Sequence, residues 1–423
     1  MIPPSDDHVA NAVADAHRRE WAFVLAATAR VASDIDLAEE CVQDAYVSAL
    51  EAWKRVGVPD NPGAWLTTAA RRKAIDALRR DQTLRSKLPL LVEPPEPPVG
   101  SADEAMTEHN DIPDDRLRLV FTCCHPALAR EAQVALTLRL VCGLTTTEIA
   151  QAFIVSEPTM AARVTRAKKK ISAARIAYRV PDQHELPDRL DAVLTVVHLL
   201  YTTGHTAPSG AILVRRDLVE RALDLARMLA ALMPDEGEIR GLLALLLLTN
   251  ARAATRTAPD GRLLLLEEQD RSLWDRAAIA AGVRLVLDAL HAGRPGRFTL
   301  QAAIAALHAE APSYAETDWR QLLALYDALL LVWPSPVVAL NRAVPVAMVH
   351  GPELALALVD DLATDRRLDG YRYLPATRAD LLRRLGRWNE AASAYEQALS
   401  WADNDAERAF LAGRIAECAS ASR

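Results

Sequence analysis

Between residues 156 and 179 the chain carries seven basic residues and one acid, a set suited to holding a polyanion. Within it Met160, Val164, Ala167 and Ile171 recur at steps of four, three and four, so on a helix they share one face. The opposite face holds Pro158, Ala162, Thr165, Arg166 and Lys169, flanked by Arg163 and Lys170. A buried apolar face set against a basic outer face is how a helix meets a DNA groove. Just upstream, Thr145-x-x-Glu148 reads as a capping box. Ser156 is a good N-cap, with Pro158 in the first turn that follows. Two short helices joined by a tight turn are therefore predicted over residues 143–171, a helix-turn-helix. The alternative is a solvated basic helix in a bundle, and the turn and two caps weigh against it.

Other chemistry is harder to find. No Ser/His/Asp set, phosphate-binding glycine loop or paired-carboxylate site occurs at a defined spacing, so no enzyme and no cofactor are expected. Adjacent Cys123, Cys124 and His125 suggest a metal, but neighbouring side chains diverge and no second ligand pair lies at zinc spacing. The five cysteines, Cys41, Cys123, Cys124, Cys142 and Cys418, form no CxxC pair and read as buried small hydrophobes in a reducing cytoplasm.

The charge is arranged in blocks. The net charge of −7 over 423 residues argues against uniform coating by nucleic acid. Residues 34–53 hold six acids and no Lys or Arg. Residues 61–87 hold seven basic residues against two acids, and residues 93–115 hold eight acids and no Lys or Arg. Such alternation suits a protein that meets DNA with some surfaces and basic protein with others.

The elements that must position these groups are helices. Helical periodicity runs through nearly every segment, and no convincing run of alternating β-branched residues occurs, so the fold class is all-α. Three helices are predicted over about 9–32, 34–55 and 61–80, the last with Asn61 as N-cap and Pro62 at its first position. Residues 82–112, rich in proline and acid and without periodicity, read as an extended linker. Helices resume near Pro113 and run through the helix-turn-helix to Arg179, where Val180 and Pro181 interrupt them. The expected division is thus 1–81, 82–112, 113–179 and 180–423. The last part is long and amphipathic. Near its end LLRRLGRWNEAASAYEQALSWAD fits the second half of a tetratricopeptide unit, with Gly386 at the turn and Trp388, Ala391, Tyr395, Ala398 and Leu399 at packing positions. Gly351 lies 35 residues earlier, and Tyr326, Leu330 and Pro334 stand where a preceding unit should end. From 187 to 320 the repeats are degenerate. The N-terminus lacks an apolar signal core, and the longest apolar run, 242–248, is too short to span a membrane.

The blocks in this order resemble an extracytoplasmic-function sigma factor of bacterial RNA polymerase, in the subgroup with a long tetratricopeptide-containing C-terminal extension. DIDLAEECVQDAYVSALEAWKRV with NPGAWLTTAARRKAIDALRRD is similar to sigma region two, and the segment from DDRLRLVFTCCHP to VTRAKKKI is similar to region four. PSPVVALNRAV, YLPATRADLLRRLGR and AERAFLAGRIAE resemble the extended subgroup. Three features depart from the pattern: Cys41 in place of a larger aliphatic, TTGH near Gly204 in place of an acidic-Gly-aromatic phrase, and Pro158 in the recognition helix.

The resemblance implies partners and roles. Core RNA polymerase would dock on Glu39, Glu40, Gln43 and Asp44 of the acidic helix. At the −10 element of promoter DNA, Asp60 and Asn61 would contact a base, while Arg71, Arg72, Lys73, Arg79 and Arg80 would hold phosphates. Trp65 could stack on a base, although a place in the core suits it better. At the −35 element Thr165, Arg166 and Lys169 would face bases, and Arg163, Lys168 and Lys170 phosphates. The acidic linker would thread the RNA-exit path, and the extension would present a groove for a protein or peptide and control activity. A cytoplasmic, nucleoid-associated protein without a membrane partner is implied. The other reading left open is a stand-alone helix-turn-helix regulator with a tetratricopeptide sensor domain.

Overall fold

The computed structural model describes residues 6–87, 115–153, 155–182, 184–207, 209–210, 213–258 and 261–422. It consists of helices in two compact units, Met1–Val196 and Val197–Arg423. Among the described residues, β structure amounts to the parallel pair Ser209–Gly210 with Asp403–Asn404 and one isolated bridge, Thr257 to Leu263.

The first unit opens with α1 (Asp6–Ala32), α2 (Ile35–Val56) and α3 (Pro62–Lys87), each packed on the other two. Local chemistry sets their ends. Asp34 accepts the amide of Leu37 at 2.8 Å and starts α2. Asn61 accepts the amide of Ala64 at 3.0 Å, with Pro62 opening α3. Leu25, Trp53 and Leu66 are fully buried among the three helices. α3 runs seven residues beyond the predicted end at Arg80, because DQTLRSK contains no Gly or Pro to stop it. The rest of the expected linker lies outside the described residues.

α4 (Asp115–Cys123) and α5 (Arg130–Leu136) follow, and α5 widens into a π-helical turn over Thr137–Val141. Gly143 then takes φ +70°, and a Cβ there would stand 3.0 Å from the Trp21 ring. Both the backbone sign and the close approach call for glycine. α6 (Thr146–Phe153) and α7 (Glu157–Ala173) complete the predicted helix-turn-helix. The unit boundary falls inside α8 (Leu186–His205).

The second unit contains α9 (Arg216–Leu232), α10 (Gly237–Asn250), α11 (Arg276–His291), α12 (Arg297–Glu310), α13 (Trp319–Val332) and α14 (Pro336–His350). α15 (Pro352–Leu362), α16 (Tyr373–Arg384), α17 (Trp388–Ser400) and α18 (Asp405–Ala421) end it. Consecutive helices pack on one another throughout, and α10 also packs on α12. Gly351 separates α14 from α15 at φ +97°, and Gly386 separates α16 from α17 at φ +72°. Ala391, Tyr395 and Ala398 are buried, and Trp388 and Leu399 pack against the same core. The recurrence of glycine at two hairpin turns gives the pairs α14–α15 and α16–α17 a repeated form. No helix among the described residues is long and apolar enough to cross a membrane.

Candidate nucleic-acid and protein interface

The helix-turn-helix is built by its caps. The Thr145 amide donates to Glu148 Oε2 at 2.7 Å, and the Glu148 amide donates back to Thr145 Oγ1 at 3.2 Å. Ser156 Oγ accepts the amide of Thr159 at 3.4 Å, with Pro158 in the first turn of α7. Met160, Val164, Ala167 and Ile171 are buried against the rest of the unit. Pro158, Ala162, Thr165, Arg166, Lys169 and Lys170 are exposed, and Arg163 is half-buried. The outward strip is therefore small at its N-terminal end and basic toward its C-terminal end, so the small end can approach a groove closely while the cations reach base edges and phosphates.

Lys168 is placed otherwise than the sequence reading expected. Its side chain is 13% exposed, and Nζ donates to Asp36 Oδ1 at 2.7 Å and to Glu39 Oε2 at 2.6 Å. Glu39 is correspondingly interior, 8% exposed, and its other oxygen pairs with Arg139 at 2.5 Å. Gln43 also donates to Glu39 Oε1, at 3.2 Å. Burial opposes the charge of Lys168, but the hydrogen bonds to Asp36 and Glu39 outweigh it and hold the ammonium above the ordinary lysine range. The helical period explains the difference. Lys168 sits one residue beyond buried Ala167 and four beyond Val164, at the edge of the packed face, where a long side chain can turn inward to a carboxylate. The result is a clasp joining α7 and the π turn to α2.

Further bonds hold the same two blocks together. Trp21 Nε1 donates to the Leu140 carbonyl at 3.0 Å. Tyr178 donates its hydroxyl to the carbonyls of Ala26 and Asp115, at 3.0 and 3.3 Å. Sequence reasoning passed over Arg139, although its position as a lone cation in the apolar run LTLRLV was a usable sign.

On α2 the outer strip consists of Glu40, Gln43, Asp44 and Val47, all exposed, with Val47 59% exposed and Leu50 beside it. Acids and amides thus flank an uncovered aliphatic patch, a mixture suited to meeting basic protein. Asp60 and Asn61 are exposed at the start of α3, with the Asn61 side-chain oxygen already engaged in its cap. Arg72, Arg79 and Arg80 are exposed along α3. Arg71 is half-buried and donates to the Ala27 carbonyl at 3.3 Å, and Lys73 stands 3.8 Å from Asp44. These tethers make Arg71 and Lys73 less free than Arg72 and Arg79 to follow a backbone. Trp65 packs edge-on to the fully buried Trp53, with ring centroids 5.7 Å apart.

Cys123 and Cys124 are buried, and burial pushes both thiols up, Cys124 to about 12. Cys124 Sγ lies 3.5 Å from Thr137 Oγ1. Both behave as small core residues. Cys142 is only half-buried.

Residues 11–83 match sigma-70 region 2, and residues 118–171 match sigma-70, region 4. Residues 189–290 match a family of unknown function, DUF6596. Over 393 residues the chain is 43% identical to an uncharacterized protein of Rhizobium meliloti (strain 1021), covering 92% of this chain and 91% of that protein. Over 220 residues it is 27% identical to a probable ECF RNA polymerase sigma factor, SigI, of Mycobacterium tuberculosis (strain CDC 1551 / Oshkosh), covering 49% of this chain and 74% of that one. No solved structure matches the chain.

Proposed function

The chain belongs to the extracytoplasmic-function sigma factors and carries a helical C-terminal extension, and from that premise we propose how its surfaces divide the work of initiation. Proteins of this kind bind core RNA polymerase and promoter DNA and set where transcription begins; the catalysis is the polymerase's. A stand-alone helix-turn-helix regulator would have no use for a region 2 block at 11–83 and is not favoured.

In this reading residues 1–81 dock on the polymerase and hold the −10 element, 82–112 thread the RNA-exit path, and 113–179 bind the −35 element. Docking falls to Glu40, Gln43 and Asp44 with the aliphatic patch at Val47. Asp60 and Asn61 contact an unstacked base, and Arg72, Arg79 and Arg80 carry most of the phosphate contact on α3. Thr165, Arg166 and Lys169 face the −35 bases, with Arg163 and Lys170 on the backbone.

The observation that supports this most strongly is the outward face of α7, exposed and basic opposite four buried apolar residues. Arg166 lies at the centre of that face. Arg166→Ala should cost about 1–3 kcal/mol in promoter affinity and relax the preference at one −35 position. The check is a binding titration over single-base variants of the −35 element. Equal weakening on every variant would show that Arg166 holds phosphate and that the helix faces the groove differently.

The clasp gives this reading a closed state. The −10 and −35 elements are roughly 25 base pairs apart, about 85 Å at 3.4 Å per pair. Helix α3 packs on α2, and α2 is bonded to α7 side chain to side chain through Lys168, so α3 and α7 cannot serve two sites at that separation until the clasp opens. Binding to polymerase supplies the opening, since basic groups of the enzyme can replace Lys168 beside Asp36 and draw α2 away.

Residues 180–423 act as the control element, with a tetratricopeptide-like groove for a protein or peptide, in a protein that works at the nucleoid. Ending the chain after Arg179 is expected to alter promoter-driven transcription in cells, by loss or by release from control. Unchanged output and unchanged regulation in a reporter assay would reject that role while leaving promoter recognition in place.

A further inference from the structure

Two half-buried arginines of the second unit, Arg252 and Arg271, have no carboxylate partner among the described residues. Helices α8, α10, α12, α13 and α14 surround a cavity of about 500 Å³, within the size range of sites for small organic molecules. Its walls are mostly apolar, with Trp274, Tyr326 and Trp333 offering flat surfaces. Arg252, just beyond the end of α10, also lines it. Among the described residues no carboxylate, carbonyl or hydroxyl is bonded to the Arg252 guanidinium; burial disfavours its charge, the nearby Tyr201 phenol partly offsets this, and Arg271 adds to it, so its value is held below the ordinary arginine range.

The neighbouring groups deepen the imbalance. Arg271 donates to the carbonyls of His308 and Ala311 at 2.6 and 2.7 Å and lies over the Trp274 ring, while its Nη2 is buried without a partner. Arg256 donates to the His205 carbonyl and to Thr206 Oγ1. Carbonyls satisfy hydrogen bonds but do not cancel charge. His308 lines the cavity with Nδ1 buried and unbonded. Burial, then Arg252 and Arg271, hold its imidazole down to about 4, so it is neutral near pH 7. No carboxylate pairs with Arg252, Arg271 or His308 among the described residues. A buried, unpaired guanidinium is costly, and an apolar side chain would fill the same space at no such cost.

We propose that this cavity binds a small amphipathic organic anion. Its acidic group, a carboxylate, sulfonate or phosphate, sits on Arg252 with His308 beside it. Its apolar body lies against Trp274, Tyr326 and Trp333. An adjoining cavity of about 390 Å³ shares Leu266, His308, Tyr326 and Asn341, so a longer body has room to extend. Guanidinium supplies the fork geometry and a charge that does not titrate away, and the surrounding aromatic rings discriminate against a bare inorganic ion. Occupancy of this cavity does not depend on whether the occupant governs initiation.

The test uses the full-length protein and two fluorescent probes with the same ring system. Anilinonaphthalene sulfonate carries the anion, and phenylnaphthylamine lacks it. The first should bind saturably at one site per chain, and Arg252→Met should weaken it at least about tenfold while changing the second by less than about twofold. The same substitution should raise the melting temperature of the probe-free protein by about 3 °C or more, because it removes a buried unpaired cation. Ala305→Phe, which fills the cavity instead, should exclude both probes. Undiminished sulfonate binding by Arg252→Met, equal loss of both probes, or a lower melting temperature would overturn the proposal. A lower melting temperature would show that the arginine is a structural residue.

Discussion

Reversing the charge of Glu40 and Asp44 together, to lysine, should weaken binding to core RNA polymerase by on the order of 100-fold, about 3 kcal/mol, with most of the change in the off-rate. Both side chains are exposed on α2, and the helix core of Ala38, Val42, Ala45 and Ala49 lies on the other side, so the fold should survive. The ground for a large effect is juxtaposition of like charge, which costs far more than loss of an exposed pair. The replacement at Asp44 also removes its loose pairing with Lys73 at 3.8 Å, a minor change at an exposed site. A titration of labelled protein into core polymerase measures the outcome. An affinity within about twofold of the parent would remove α2's outer strip from the interface.

The clasp predicts an effect of similar size on stability. Glu39→Leu leaves Arg139 without its carboxylate and Lys168 with only the exposed Asp36, inside a packed boundary. The expected cost is about 3–5 kcal/mol, the range for breaking a buried pair from one side. Replacing all three groups, Glu39→Leu with Arg139→Leu and Lys168→Met, should restore most of that stability, because no unpaired charge then remains. Calorimetry of the full chain reads both variants. If the single change costs less than about 1 kcal/mol, the clasp does not hold α2 and α7 together. The pH dependence has a definite sign. The folded-state value of Lys168 lies above the ordinary 10.5, so its contribution is complete below 10.5 and is lost only as pH climbs through the raised value. The clasp is therefore not a switch near neutral pH.

The sequence made the helix-turn-helix legible almost residue by residue, because its signals are local. Thr145, Glu148 and Ser156 cap helices within four residues of themselves, and a period of 3.6 identifies Met160, Val164, Ala167 and Ile171 as the packed side. The turns at Gly351 and Gly386 were legible for the same reason, since positive φ favours glycine. What could not be read was pairing across long separations. Lys168 meets Asp36 across 132 residues and Glu39 across 129, and no periodicity within α2 or α7 says that one acid of the outward block turns inward. Glu39 therefore looked like a docking residue and Lys168 like a phosphate contact. Both are better read as the two sides of an internal joint. The charge at Arg252 was hidden in the same way, because its isolation depends on which helices surround it rather than on its neighbours in sequence.

The central claim is that this chain directs RNA polymerase to promoters, and run-off transcription with purified core enzyme tests it most directly. The template should carry a promoter selected by the reconstituted protein–polymerase complex, and the reactions should contain core alone, this protein alone, and both. Transcripts of one defined length should arise only when both are present, and the Glu40/Asp44 reversal should abolish them. Specific binding of the protein to duplex DNA, with no start-site-dependent transcript on any template when core is added, would contradict the account.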